Sequence, residues 1–224
     1  MSNFDAARAA TYDQGAQAAI IGHDSLYEVV MTMLNGQPME RVLILGAGTG
    51  TETILFKKRF PQVQVVAIDP SEPMLEVARG KLAAQGLEVD LRCGVLEQFD
   101  DLTDLDAVVM IGVLHHLSGP EEQERLLGQL GQRLKAGGLL LAGSQVGPMS
   151  DPLRAGAWEQ RWRDFGATDD DVRQRREKVK EIHALEPDRF QRWLEQSGFG
   201  HSERVFSSLF FEVWACLRGP EREK

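Results

Sequence analysis

The sequence predicts a doubly wound α/β fold, a mostly parallel sheet covered by helices, and three observations carry that reading. From residue 39 to residue 143, short aliphatic runs alternate with stretches of helical periodicity, the pattern of successive βαβ units. The first run, Val42 to Leu45, opens into a loop containing Gly46, Gly48 and Gly50, where a chain without β-carbons can turn sharply and approach a ligand. Near the other end, Glu203 to Ser207 and Phe210 to Leu217 are two runs joined by a short turn at Ser208-Leu209, which predicts a hairpin closing the sheet.

The elements follow in order. Residues 2–19 are rich in alanine, the strongest helix former, and predict one or two short helices around Asp5, Arg8, Tyr12 and Asp13. From Asp24 to Leu34, apolar residues at positions 26, 29, 30, 33 and 34 give a helical stripe, with Asp24 or Ser25 as N-cap and Asn35-Gly36 as the stop. Residues 1–38 therefore read as an N-terminal helical segment. Thr51 to Phe60 predicts a helix closed by Pro61, and Val63 to Ile68 a buried strand ending in Asp69-Pro70. Ser71 to Gln85 predicts a helix, Val89 to Cys93 and Ala107 to Ile111 strands, Glu121 to Leu134 a helix, and Leu139 to Ala142 a fifth strand after the turn Lys135-Ala136-Gly137-Gly138.

The alternation then stops. Residues 144–186 hold Pro148, Pro152, Gly156 and Gly166 and the charged run Arg173 to Lys180, and predict a helical lid inserted over the sheet edge, the charges forming a solvated helix face. Pro187 to Gln196 is the last predicted helix, so that residues 187–218 complete the fold as helix and hairpin. With no repeat or linker, residues 1–224 read as one domain around a ligand-binding core at 39–143.

Composition narrows the function. A hydrophobic fraction of 42% and a charged fraction of 26% are those of an ordinary soluble globule. The net charge of −9 disfavours a nucleic acid held through its phosphates and favours a small-molecule substrate. Cys93 and Cys216 are too few for a disulfide scaffold, and no metal-ligand spacing occurs, so no metal is expected. The opening stretch lacks the basic-then-apolar pattern of a secretory signal and no apolar run reaches ~18 residues, so a cytoplasmic protein without a membrane span is expected.

Asp69 stands at the end of the second predicted strand, about 20 residues after the glycine loop. A carboxylate there can accept both hydroxyls of a ribose, because the first two strands are neighbours and share one crevice. It can also cap the helix from Ser71, and a glycine loop can be a turn with no ligand. The loop continues with Thr51 and lacks the third glycine of the GxGxxG dinucleotide pattern, and a cofactor without pyrophosphate needs no helix N-terminus aimed at phosphate.

Later stretches separate the cofactors. VLILGAGTG, VVAIDPSEPML, VLHHL and LKAGGLLL, in this order over residues 42–143, resemble the motifs of class I S-adenosylmethionine-dependent methyltransferases. That resemblance implies a Rossmann-like seven-stranded sheet with an antiparallel C-terminal strand, with S-adenosyl-L-methionine as cofactor and S-adenosyl-L-homocysteine (SAH) as product. It places cofactor contacts at Gly46, Ala47, Gly48, Gly50, Asp69, Pro70, Met74, Gly94, Val95, Leu96 and Ile111. Two acids of the family pattern are replaced, by Ile44 in the first strand and by Val95 after the third. Nearly the whole chain is also similar to the carboxy-S-adenosylmethionine synthase-like branch, which implies possible homodimers. There, Ile111 stands in place of an Asn and Trp193 in place of an Arg that holds the added carboxylate.

The expected activity is methyl transfer to a small apolar or aromatic acceptor. Its rivals are other sulfonium chemistry, namely carboxy transfer or intramolecular cyclisation, and a catalytically silent binding subunit. Methyl transfer asks the protein mainly for positioning, with a base where the acceptor must lose a proton. His115 and His116 follow the fourth strand and are the candidate bases, although such a pair can also cap or pack. Tyr12, His23, Trp158, Trp162 and Trp193 are the candidate acceptor contacts. Trp158, Trp162 and Phe165 share one helical face, which suits either core packing or an apolar pocket under the lid.

Overall fold

The computed structural model describes residues 6–148 and 150–220. Residues 2–5 of the predicted first helix, Asp5 among them, and Met149 of the predicted insertion lie outside the described residues. β1 (Arg41–Leu45) pairs in parallel with β2 (Gln64–Asp69) on one side and with β4 (Leu105–Ile111) on the other. β3 (Asp90–Cys93) extends the sheet beyond β2, and β5 (Leu134–Gln145) extends it beyond β4. β7 (Phe211–Arg218) runs antiparallel to β5, and β6 (Phe199–Ser208) forms the edge beside it. The resulting seven-stranded order β3-β2-β1-β4-β5-β7-β6 reverses direction between β1 and β4, the switch point where open α/β sheets leave a crevice at the strand ends.

The central strands are apolar on both faces because helices cover both. Leu43, Val66, Val108 and Leu140 pack under α5 (Pro120–Arg133) and α8 (Pro187–Gln196). Val42, Ile44, Val65 and Val109 point the other way, toward α2 (His23–Asn35), α3 (Thr51–Arg59) and α4 (Glu72–Ala83). A third apolar cluster lies outside both. There Ala18 of α1 (Ala6–Ala19) meets Trp158 and Trp162 of α6 (Pro152–Asp164), Val172 of α7 (Asp169–Val179) and Phe210 of the hairpin turn.

Several predicted boundaries move. The N-cap of α2 is Gly22, at φ 76°, and neither Asp24 nor Ser25, both of which fall inside the helix. The predicted turn at Lys135-Ala136-Gly137-Gly138 belongs to β5, which begins at Leu134 directly after α5 and carries an irregularity of register before Leu139. β5 also runs on through Ser144 and Gln145, because both pair with β7 opposite Glu212 and Phe211; the two residues assigned to the start of the insertion are strand. The hairpin turn carries Leu209 at φ 45°, an uncommon backbone for a branched aliphatic residue. Phe210 explains it, being buried in the third cluster with the Arg154 guanidinium 4.4 Å from its ring centroid while Arg154 donates to the Leu209 carbonyl.

The charge run of α7 is not wholly a solvated face. Arg173 is exposed, but the guanidinium of Arg175 lies 3.6 Å from the centroid of the Trp162 ring, and burial lowers its pKa.

Glu52 is a buried carboxyl in the first turn of α3, 6% exposed, with the Tyr27 hydroxyl of α2 hydrogen-bonded to it. Burial and the nearby Asp69 carboxylate push its pKa from an ordinary 4.5 up to about 8. The unfolded chain gives up this proton near the ordinary value while the folded chain keeps it, so the stabilisation present below the lower value is lost as pH rises through the upper one. Glu52→Gln is therefore expected to flatten the decline in stability between pH 5 and pH 8, a slope of at most about 1.4 kcal/mol per pH unit from this group. Urea unfolding of both proteins across that range checks it; parallel curves would contradict the assignment.

Candidate active site

A cavity of about 800 Å³ opens at the carboxyl ends of β1, β2, β3 and β4, within the size range of small-molecule sites. Its floor is Leu45, Gly46 and Gly48 of the loop after β1. One wall is Asp69, Pro70 and Ser71 with Met74 of α4, and the adjoining wall is Gly94, Val95, Leu96 and Glu97 after β3. Facing them are Ile111, Gly112, Val113, His116 and Leu117 after β4, and then Glu122, Arg125 and Leu126 of α5. Tyr12 of α1 closes the loop side.

The three glycines do different work. Gly46 has φ 80°, and a β-carbon there would lie 2.3 Å from Cγ2 of Val113; Gly50 has φ 86°, and its β-carbon would lie 2.9 Å from that of Ala78 in α4. These two are demanded by the packing of the protein itself. Gly46 and Gly48 both line the cavity, and Gly48 has Tyr12 as its nearest side chain. Gly50 and the buried Ala47 are absent from the cavity lining; Ala47 shapes the loop, its N–H donating to the Ile68 carbonyl at 3.0 Å.

Asp69 both builds the loop and faces the cavity. Its Oδ2 accepts from the Gly48 N–H at 2.9 Å and its Oδ1 from the Ser71 N–H at 2.8 Å. A carboxylate offers about four acceptor positions, so two bonds leave capacity for two ribose hydroxyls. Burial raises its pKa, and the bonds from Ser71 and Gly48 oppose that rise. The helix-cap alternative is partly realised, since Asp69 holds Ser71 while the Ser71 hydroxyl accepts from Met74 N–H as the N-cap of α4.

These features fit an adenosyl sulfonium cofactor. A buried carboxylate stands where a ribose would reach it, a glycine backbone lines the floor, and Pro70, Met74, Leu96 and Leu117 supply apolar surface for a flat base. The third-glycine position of a pyrophosphate-binding loop is Thr51, the first residue of α3, whose hydroxyl is turned to Asp13 at 3.4 Å. Ile44 is 1% exposed in the core between sheet and helices, so that position offers the cavity no side chain.

The two histidines separate. His116 lines the cavity, whereas His115 is buried and absent from the lining. The Nδ1 of His115 accepts from the Gln145 N–H at 3.2 Å and lies 3.1 Å from the Ser144 hydroxyl. The neutral ring therefore carries its proton on Nε2, and its one free lone pair is committed to the strand. The two rings lie with centroids 4.2 Å apart, tilted by 45°, and the His115 carbonyl accepts from the His183 N–H at 3.2 Å. His115 thus fixes the turn that presents His116.

The predicted acceptor contacts divide in the same way. Tyr12 reaches the cavity, and His23, Trp158, Trp162 and Trp193 do not. His23 starts α2 beside Asp24 and Tyr27. Trp158 and Trp162 are core residues of the third cluster, and Trp193 is buried in the core under α8. No described residue of the insertion lines the cavity; α6 packs on α1, with Arg161 donating to the Ala18 and Gln17 carbonyls at 3.1 and 3.0 Å. Its aromatic spacing signalled packing, because a helix buried against alanine needs large side chains to fill the gap.

Glu97, Glu122 and Arg125 line the cavity without having been predicted. Arg125 lies 3.9 Å from Glu97 and 3.5 Å from Glu122. Glu97 follows Val95 in the same loop and was open to the same reasoning, whereas Arg125 has no local motif and reaches the site only because α5 crosses it.

The comparisons with known proteins agree with this geometry. Residues 43–140 match the model of a methyltransferase domain. The chain is 27% identical over 150 residues to a carboxy-S-adenosyl-L-methionine synthase of Hydrogenovibrio crunogenus, covering 64% of this chain and 58% of the relative. It is 30% identical over 146 residues to a trans-aconitate 2-methyltransferase of Mycolicibacterium gilvum, covering 62% of this chain and 54% of the relative. The chain thus spans little more than half the length of these two relatives. In fold it is similar to the magnesium protoporphyrin IX methyltransferase of Synechocystis solved with bound SAH, at a TM-score of 0.64 and 18% identity over 89% of this chain and 84% of that one. No described helix is long and apolar enough to cross a membrane. The glycine loop, the Asp69 contacts and the seven-stranded order accompany the methyltransferase-domain match over residues 43–140, and together they support a class I S-adenosylmethionine-dependent methyltransferase.

Proposed function

We propose that this protein transfers a methyl group to a small, largely apolar acceptor bound beside the cofactor, with His116 as the base. The observation that supports it most is the division of the histidine pair: one ring is fixed to β5, and the other is presented to the cavity. S-adenosylmethionine, when bound, supplies an activated methyl on a sulfonium. The chain contributes the rest: Asp69 holds the ribose, the backbone around Gly46 and Gly48 makes room for the amino-acid end, and Ile111, Val113 and Leu117 keep the wall apolar and poor in water. His116 takes the acceptor's proton where the acceptor carries one. The aromatic pocket expected from the tryptophans has no place in this reading, because those rings are packed elsewhere, and the acceptor's apolar character now rests on the wall after β4.

A second reading, carboxy transfer, is favoured by the synthase relative and opposed by the residues here. Trp193, in place of the relatives' Arg, is buried away from the cavity, and the guanidinium that does line it, Arg125, is already flanked by Glu97 and Glu122. Incubating the protein with labelled S-adenosylmethionine, alone and with a panel of small acceptors, separates the readings by mass spectrometry. Methylated acceptor with SAH supports methyl transfer; methylthioadenosine without any acceptor identifies cyclisation, and a carboxylated sulfonium formed from an added carboxylate donor identifies the second reading.

Two substitutions test the assigned roles. Asp69→Ala is expected to weaken SAH binding by about 10- to 100-fold, the worth of hydrogen bonds to a charged group. In the wild type, affinity should fall on acidification at a pH above that of an ordinary aspartate, since burial raises the Asp69 pKa; isothermal titration measures both. His116→Ala is expected to lower kcat by roughly 10²- to 10⁴-fold for an acceptor that loses a proton, with SAH affinity little changed. An unaltered kcat would remove His116 from the base role.

A further inference from the structure

Asp13 sits in α1, one residue after Tyr12, and its carboxylate is fastened to three groups around the glycine loop. It accepts from the Thr49 hydroxyl, from the Thr51 hydroxyl at 3.4 Å, and from the Lys81 ammonium of α4. Thr49 is 2% exposed, so its hydroxyl requires a protein acceptor, and Asp13 is that acceptor. Successive helical residues point about 100° apart, so the turn that aims Asp13 at the threonines aims Tyr12 at Gly48 and the cavity.

Asp13 is the polar anchor of α1 on the glycine loop. The described side chains that the helix buries are alanines, Ala9 and Ala18, each offering a single methyl to the packing. Its C-terminal end is secured separately by Arg161, Trp158 and Trp162 of α6. Its middle is secured through Asp13. Burial pushes the Asp13 carboxyl up, but the bonds from Lys81, Thr49 and Thr51 outweigh it, and its pKa is lowered; the group is ionised at neutral pH and its bond to Lys81 is charge-assisted.

We propose that Asp13 is a positioning residue of the cofactor site: by fastening α1 to Thr49, Thr51 and Lys81 it holds Tyr12 over the cavity and so sets how fast the cofactor leaves. The contacts run to the loop that lines the floor, which makes the closure of α1 and the order of that loop one event. Release requires these bonds to break first, and the attachment of α1 to α6 leaves a point about which the helix can swing.

The experiment is a double-mutant cycle on the dissociation rate of SAH, read by stopped-flow fluorescence. Asp13→Ala is expected to raise the off-rate about 10-fold or more, with a smaller change in the on-rate, and Asp13→Asn, which can still accept from Thr49, is expected to fall between. Tyr12→Ala should raise the off-rate similarly, and adding Asp13→Ala to it should do little more, because Asp13 acts through Tyr12. Effects that multiply in the double variant would overturn the proposal and assign Asp13 an ordinary structural role. So would an unchanged off-rate in Asp13→Ala and Asp13→Asn proteins that remain folded by circular dichroism. The inference rests on the cofactor assignment, which SAH binding by the wild-type protein tests separately.

Discussion

The site depends on the way Asp69 knots three loops together. Its carboxylate holds the glycine loop through Gly48 and the start of α4 through Ser71, and its carbonyl accepts from the Gly94 N–H at 3.0 Å, tying in the loop after β3. Each of those loops supplies a wall of the cavity. A carboxylate that also binds a ribose would then act on a frame it has itself assembled, so the ordering that binding requires is done in advance.

Much of this was legible in the sequence because the cofactor core consists of local signals. The aliphatic runs at 42–45, 63–68 and 107–111, the turn glycines, and Asp69 at a strand end all report their structure within a few residues. Strand ends shifted where pairing decides them: Ser144 and Gln145 are strand because β7 lies alongside, which nothing local records. The acceptor side was legible only in part. A tryptophan at helical spacing says that one face is buried and not against what, and Trp158, Trp162 and Trp193 face protein where an acceptor was expected. His115 and His116 are neighbours of identical type, and only the register of β5 decides which one is bound to the strand.

Behind the glycine loop, charge is arranged against the usual preference for water. Glu52, Asp69, Tyr27, Tyr12 and Asp13 lie near enough to influence one another's titration, and one carboxyl of the group is held protonated by its surroundings near neutral pH. Lys81 supplies a compensating cation at the edge through Asp13. Two layers of polar contacts thus support the loop, one neutral and enclosed, the other ionic and half-exposed, and only the ionic layer weakens in salt.

The third apolar cluster, shared by α1, α6, α7 and the hairpin turn, has a consequence for how such a protein can change. It is separate from the two cores that sandwich the sheet, and its aromatic residues stay clear of the cavity. Sequence drift in α6 and α7 is therefore absorbed by a private interior, and its effect travels to the chemistry through the position of the first helix and through the hairpin turn beside β5. A lineage can rewrite most of this segment while keeping the cofactor machinery intact, much as a bracket can be recast without moving the hinge it carries.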